Sequence, residues 1–170
     1  MRKLLKTTAI GLFFAAFFVA GCAVRTGVIS ANGADATYWR GRLAIQILSS
    51  QAPADFQSIT AGFELTGNAK LGTLTLYTPL GSTVASLSWS PTTAVMRSAG
   101  ETRYFETLDA LIKHSIGTEL PVSALFAWLA GDNLTVAGWS ADLSQRSDGR
   151  ISARRTQPEP MAEIRLVLEK

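Results

Sequence analysis

The chain carries one cysteine, Cys22, and one histidine, His114. A lone thiol cannot close an internal disulfide, and the two residues together cannot build a cysteine-rich zinc site or a histidine cluster. The chemistry left to Cys22 is covalent modification, and the small residues Ala20 and Gly21 directly before it suit that. His114 stands beside Ser115 inside a helical pattern and reads as a helix-end or surface histidine. Nothing local supplies the acid that a nucleophilic triad needs. There is no phosphate-binding glycine loop, no CxxC, no HExxH and no GxSxG. The acidic residues are scattered singly, as on solvated strand faces, and suggest no carboxylate pair. The four tryptophans read as core and rim residues, with Trp128 at the edge of a helical stripe. Arg154-Arg155 reads as a solvated basic pair. These features exclude most catalytic classes and leave Cys22 as the residue with assignable chemistry.

The segment before Cys22 explains the modification. Arg2, Lys3 and Lys6 form a basic head without an acid, and Ala9 to Ala20 is an apolar run. This is the anatomy of a secretory signal. The run is shorter than the ~20 apolar residues of a membrane-spanning helix. The leader also accounts for the formal net charge of +3. Its three cations leave 13 basic residues against 13 acidic ones in the rest of the chain. A body of zero net charge disfavours nucleic acid as a partner.

Val19-Ala20-Gly21-Cys22 resembles a bacterial lipobox. In such signals the leader is removed, and the cysteine is acylated and becomes the first mature residue. A single acyl chain anchors only marginally, whereas two or more anchor firmly. Bacterial lipoproteins carry three. Ala23, where an enterobacterial retention signal would have aspartate, implies the outer membrane by the same resemblance. The expected organisation is a signal peptide over 1–21, a flexible tether over 22–37 rich in small and polar residues, and one folded domain over 38–170.

The elements of that domain follow from periodicity. The chain has 170 residues, with 47% apolar and 17% charged, enough for one real core. Leu43, Ile45 and Ile47 alternate with polar residues, as do Ala61, Phe63 and Leu65, Leu74 and Leu76, and Ala85, Leu87 and Trp89. Gly67-Asn68 signals a hairpin. Further strands are expected over 94–98, 102–105, 134–143 and 150–156, with a last one at Ile164, Leu166 and Leu168. Leu108, Leu111 and Ile112 have helical spacing, with Thr107 as N-cap and Gly117 as stop. A second helix runs from Pro121, suited to a first helical position, to Gly131, with the stripe Val122, Leu125, Phe126 and Leu129. The expected fold is mainly β, a curled antiparallel sheet of eight to eleven strands with two or three helices over its concave side.

Three stretches in order resemble the LolB family of outer-membrane lipoprotein receptors. They are Trp39-Arg40-Gly41-Arg42-Leu43-Ala44-Ile45, Pro79-Leu80-Gly81-Ser82-Thr83, and Leu120-Pro121-Val122 leading to Trp128-Leu129-Ala130-Gly131. The likeness runs from Trp39 to Trp139. Val136 departs from the family's glutamine, and the chain after Pro160 is short. The resemblance implies an incomplete barrel plugged by helices, with no cofactor, no metal and no catalysis. It implies a monomer that takes triacylated lipoproteins from a LolA-like periplasmic carrier. It then passes them to the inner leaflet of the outer membrane. On that reading Leu43, Ile45, Phe63, Leu74, Leu76, Leu87, Val122, Leu125, Phe126 and Leu129 line an acyl cavity. Leu80, between Pro79 and Gly81, has two readings: tucked back over the sheet end, or projecting toward a bilayer. The matching leucine of the family is associated with delivery into the membrane. A structural or assembly lipoprotein, and a carrier of small hydrophobic ligands, remain as alternatives.

Overall fold

A computed structural model describes residues 37–48 and 56–169. The expected leader, Cys22, the expected tether as far as residue 36, and residues 49–55 and 170 lie outside the described residues. The strands are β1 (Thr37–Leu48), β2 (Phe56–Gly67), β3 (Gly72–Tyr77), β4 (Thr83–Ser90), β5 (Thr93–Ser98), β6 (Glu101–Phe105), β7 (Trp139–Asp142), β8 (Arg150–Arg155) and β9 (Met161–Leu168). They form one antiparallel sheet in the order β6-β5-β4-β3-β2-β1-β9-β8-β7. The edge strands β6 and β7 do not pair, so the curled sheet is not closed into a barrel.

Register puts the apolar set on one face. Leu43 sits opposite Ala61 on β2 and Leu166 on β9. Phe63 faces Leu76, Leu74 faces Leu87, and Ile151 faces Leu166. A slip of one residue would turn each row outward, so the alternation itself fixes the pairing. Gly41 lets β1 and β9 approach: a Cβ there would collide with the Val167 carbonyl oxygen. The outer face carries Arg40, Arg42, Thr60, Glu64 and Thr73.

Two helices cover the inner face. In α1 (Leu108–Ile116), the Thr107 hydroxyl accepts from the Ala110 N–H at 3.1 Å, and Gly117 ends the helix at φ 72°. In α2 (Val122–Ala130), Gly131 adopts φ 100° and its N–H reaches the last-turn carbonyls. Pro121 stands one position before the expected one, as the N-cap, where its carbonyl accepts from the Leu125 N–H. Leu111, Ala124, Trp128 and Leu129 are essentially inaccessible and pack on the sheet.

Two expectations are corrected. The strand expected over 134–143 is confined to Trp139–Asp142. Gly138 at φ 78° makes a turn, and the Leu134 carbonyl is taken by the Trp128 indole N–H at 3.0 Å. Arg155 is not solvated. It follows Ile151 and Ala153 on the inward face of β8 and is 5% exposed.

Candidate functional site

The inward rows and the two helices enclose an apolar cavity of about 80 Å³. Eight of the expected lining residues border it: Leu43, Phe63, Leu74, Leu87, Val122, Leu125, Phe126 and Leu129. Ile45 and Leu76 belong to the same core but do not border the cavity. Leu65, Trp89, Leu108, Ile112 and Leu166 border it as well. Their strand alternation and helical spacing carried that signal, but the choice among inward positions depends on curvature. Every lining residue is hydrophobic, so an occupant would be held by burial and dispersion alone.

The cavity is smaller than the ~300–1,000 Å³ of small-molecule pockets. Phe126 is the reason. Its ring is wedged edge-on between Trp39, with centroids 5.5 Å apart, and Trp89, at 6.3 Å. α2 thus places Phe126 over the inner face, where it fills space between the two tryptophans.

Polar ties hold the cover unequally. Arg155 reaches the connection between the helices, donating to the Glu119 carbonyl at 3.1 Å and to the Thr118 hydroxyl. It also donates to the Pro160 carbonyl at 3.1 and 2.7 Å, and it lies over the Trp139 ring. Burial lowers its pKa, with the Glu119 carboxylate acting against that, and an arginine keeps its charge regardless. At the other end of α2, Arg146 donates twice to the Leu129 carbonyl, at 3.2 and 3.0 Å. Trp128 of α2 packs on Trp139, with centroids 6.1 Å apart. By contrast, α1 has an exposed bond from Arg103 to the His114 ring nitrogen at 2.9 Å, on the edge strand β6.

Outside the core, the turn between β3 and β4 presents Leu80 to solvent at 95% exposure. The turn is rigid. The Gly81 N–H donates to the Thr78 carbonyl at 2.9 Å, the Thr78 N–H to the Ser82 carbonyl at 2.8 Å, and the Ser82 N–H to the Thr78 hydroxyl at 3.2 Å. Gly81 at φ 85° closes it, in a conformation that a side chain would strain. Leu80 projects and does not tuck back. His114 is a helix-end residue packed on Phe105, and no group of three or more metal-ligating side chains occurs among the described residues.

The sheet thus encloses an apolar inner face beneath two helices and presents the exposed Leu80 outside it. A profile described as "Outer membrane lipoprotein LolB" covers residues 38–163. The chain belongs to the LolB family. It is 30% identical to an outer-membrane lipoprotein LolB of Bordetella petrii over 173 residues, covering 88% of this chain and 86% of that one. It is 33% identical to the LolB of Bordetella pertussis over 124 residues, 72% of this chain and 61% of that protein. A LolB of Bordetella parapertussis is 33% identical over 114 residues, 66% of this chain and 56% of that one. The LolB match continues through β8 into β9, past Trp139 where the sequence likeness was weakening. Membership assigns the chain a general role in lipoprotein transport at the outer membrane, and it is not an enzyme.

Proposed function

We propose that the chain is a membrane-anchored receptor that accepts triacylated lipoproteins from a soluble periplasmic carrier and releases them into the inner leaflet of the outer membrane. Residues 1–21 are removed, acylated Cys22 anchors the protein, and residues 23–36 are the tether. The carrying observation is the wholly hydrophobic cavity beneath a two-helix cover.

The energetics fit the task. Each acyl methylene kept from water is worth ~0.8 kcal/mol, so a client cannot cross the periplasm with free chains. Transfer downhill between apolar sites needs no nucleotide. The client's chains displace Phe126 from between Trp39 and Trp89, and the cover opens on the α1 side. There the polar ties to the sheet are few and exposed, from Arg103 to His114 and from Ser115 to Met96, while Arg146 and the Trp128–Trp139 contact keep α2 seated. Leu80 then enters the bilayer, gaining ~1.5–3 kcal/mol. That is too little to anchor a protein, and enough to orient one already held by lipid.

The test is capture. Purified chain is mixed with carrier loaded with a lipoprotein bearing a photoreactive acyl chain, and the crosslinked residues are mapped. Crosslinks at Phe126, Leu125 or Leu74 are expected, displaced by a triacylated peptide far better than by a free fatty acid. Crosslinks confined to the outer face, or equal competition by fatty acid, contradict the receptor reading.

A further inference from the structure

A second cavity, larger than the one in the core, lies outside it. It is a pocket of about 470 Å³ on the outer face of β1, β2 and β3, roofed by Thr78, Pro79 and Gly81 of the turn that presents Leu80. Its floor has a specific origin. Arg42, Gly62 and Tyr77 form one outward row across the three strands, and the middle position has no side chain. The fold does not demand that glycine. A Cβ at Gly62 would lie 3.5 Å from the Tyr77 Cβ, an ordinary contact, and Gly62 is not among the glycines with positive φ. Mid-strand glycine weakens a sheet. What the missing side chain does is keep the pocket open.

The walls carry both signs of charge. The Arg42 side chain is exposed, with no hydrogen bond or ion pair among the described residues. On the other side the Glu64 carboxylate accepts from the Tyr77 hydroxyl at 2.9 Å, a bond that raises the tyrosine pKa. Arg40 stands between Glu169, at 3.0 Å, and Glu64, at 3.9 Å, so its charge is already matched. The Arg42 guanidinium is left without a partner among the described residues, and the Glu64 carboxylate, bonded by Tyr77 on one oxygen and 3.9 Å from Arg40 on the other, keeps lone pairs for a further donor. The two residues occupy diagonal positions of neighbouring strands, ~7–8 Å apart at the backbone. A ligand that satisfies both is itself a zwitterion with an anion and an N–H cation a few bonds apart.

We propose that this pocket receives the phosphate–ammonium headgroup of a zwitterionic glycerophospholipid. The phosphate takes the Arg42 guanidinium, which suits bidentate phosphate binding. The primary ammonium donates to Glu64, which a trimethylammonium cannot do. Placement selects a bilayer lipid as the source: the pocket's roof is the turn whose tip, Leu80, enters the membrane in the function proposed above, and the inference rests on that reading. The headgroup site would hold the turn at the depth where Leu80 meets the acyl layer.

The experiment titrates the full mature chain with dihexanoyl phosphatidylethanolamine, phosphatidylglycerol and phosphatidylcholine below their micelle concentrations, and with chain-free glycerophosphoethanolamine. Amide shifts at Gly62 and Tyr77 are followed. Phosphatidylethanolamine is expected to bind about tenfold tighter than the other two lipids, since one charged hydrogen bond is worth that factor or more. Arg42→Gln and Gly62→Val are each expected to weaken it about tenfold, without lowering the melting temperature. If Gly62→Val does not fold, Gly62→Ala replaces it, with the same direction expected. Chain-free glycerophosphoethanolamine is expected to bind at the same amides more weakly than the lipid. Equal binding of the three lipids, or binding indifferent to Gly62 and Arg42, or a chain-free headgroup that binds as tightly as the lipid, overturns the inference. None of these readings involves delivery. If Leu80→Glu still inserts clients, the proposed function fails while the pocket result stands. If Leu80→Glu blocks insertion but the three lipids bind alike, the pocket fails alone.

Discussion

Phe126 does two opposed things. It completes the core, and in the proposed function it occupies the space that an acyl chain would need. Phe126→Ala should therefore separate stability from binding. Removing a buried phenylalanine costs about 3–5 kcal/mol, which denaturant unfolding will read. The same variant should bind an acylated probe more tightly than the parent, because the stopper no longer has to be displaced. Loss of both stability and binding would mean that Phe126 is simple packing. Arg155 makes the opposite prediction. It carries no part of the cavity, yet its bonds to Thr118, Glu119 and Pro160 join the helix connection to the β8–β9 end of the sheet. Arg155→Met removes the donor from the part-buried Glu119 and Pro160 carbonyls and from the buried Thr118 hydroxyl, at about 1–3 kcal/mol for the buried group, and melting temperature should fall accordingly. The residue was readable in principle, since alternation from Ile151 and Ala153 turns position 155 inward. Its charge argued the other way, and only the helix connection lying above it decides the matter.

At the scale of elements, the two helices differ in how they are held. α2 is held at its C-terminal end by Arg146 and by the Trp128–Trp139 contact, and Arg155 fixes the connection before it, whereas the body of α1 is tied to the exposed edge strands through Arg103 and Met96. Hydrogen exchange with and without an acylated peptide should show the amides of residues 108–116 losing protection on binding, while those of 124–130 keep it. Deprotection of α2 before α1 would reverse the assignment. The seam between β8 and β9 is sensitive to pH. Glu163 bonds Arg165 at 3.0 Å and pairs with Arg154 at 3.4 Å. The Arg165 hydrogen bond, with the charges of both arginines, holds its carboxyl below the ordinary value of 4.5. A carboxyl lowered in the folded state binds fewer protons there than in the unfolded chain, so stability rises with pH across that window. Its contribution is complete above about pH 4.5 and is lost as pH falls through the folded value. Glu163→Gln should be less stable than the parent at neutral pH, and the gap should close in acid. Helix ends were legible because Thr107, Gly117 and Gly131 have one physical use each, and strand faces because alternation has one period. β7 was not, because residues 134–138 look extended in sequence but serve the Trp128 indole and a turn at Gly138.

For the whole molecule, the sheet sets distances that the tether must span. Thr37, where β1 begins, pairs with Gly67 at one end of the sheet, whereas the Leu80 turn leaves the other end of β3. The five-residue advance from Gly72 to Tyr77 is ~17 Å at strand rise. The fourteen residues from 23 to 36 span at most ~50 Å when extended, which in the proposed function is enough for a lipid-anchored Cys22 and Leu80 to reach the same bilayer. Deleting ten of those fourteen should spare acyl acceptance and impair insertion, measured on one preparation. Family and fold were open to sequence because three short stretches and an alternating pattern survive in order. The closed state of the cavity was not, because it depends on where Phe126 lies relative to Trp39 and Trp89 in space.

In the proposed function, acceptance and delivery are separate acts of one molecule, the first inside the sheet and the second at Leu80. The most direct measurement follows a labelled triacylated lipoprotein from its carrier to the lipid-anchored protein, and then into liposomes, for the parent and for Leu80→Glu. Leu80 contributes ~1.5–3 kcal/mol in lipid, about ten- to a hundredfold in the step that uses it. The predicted result is acceptance close to the parent's with insertion reduced by that factor. Acceptance and insertion falling together, or neither changing, would contradict it.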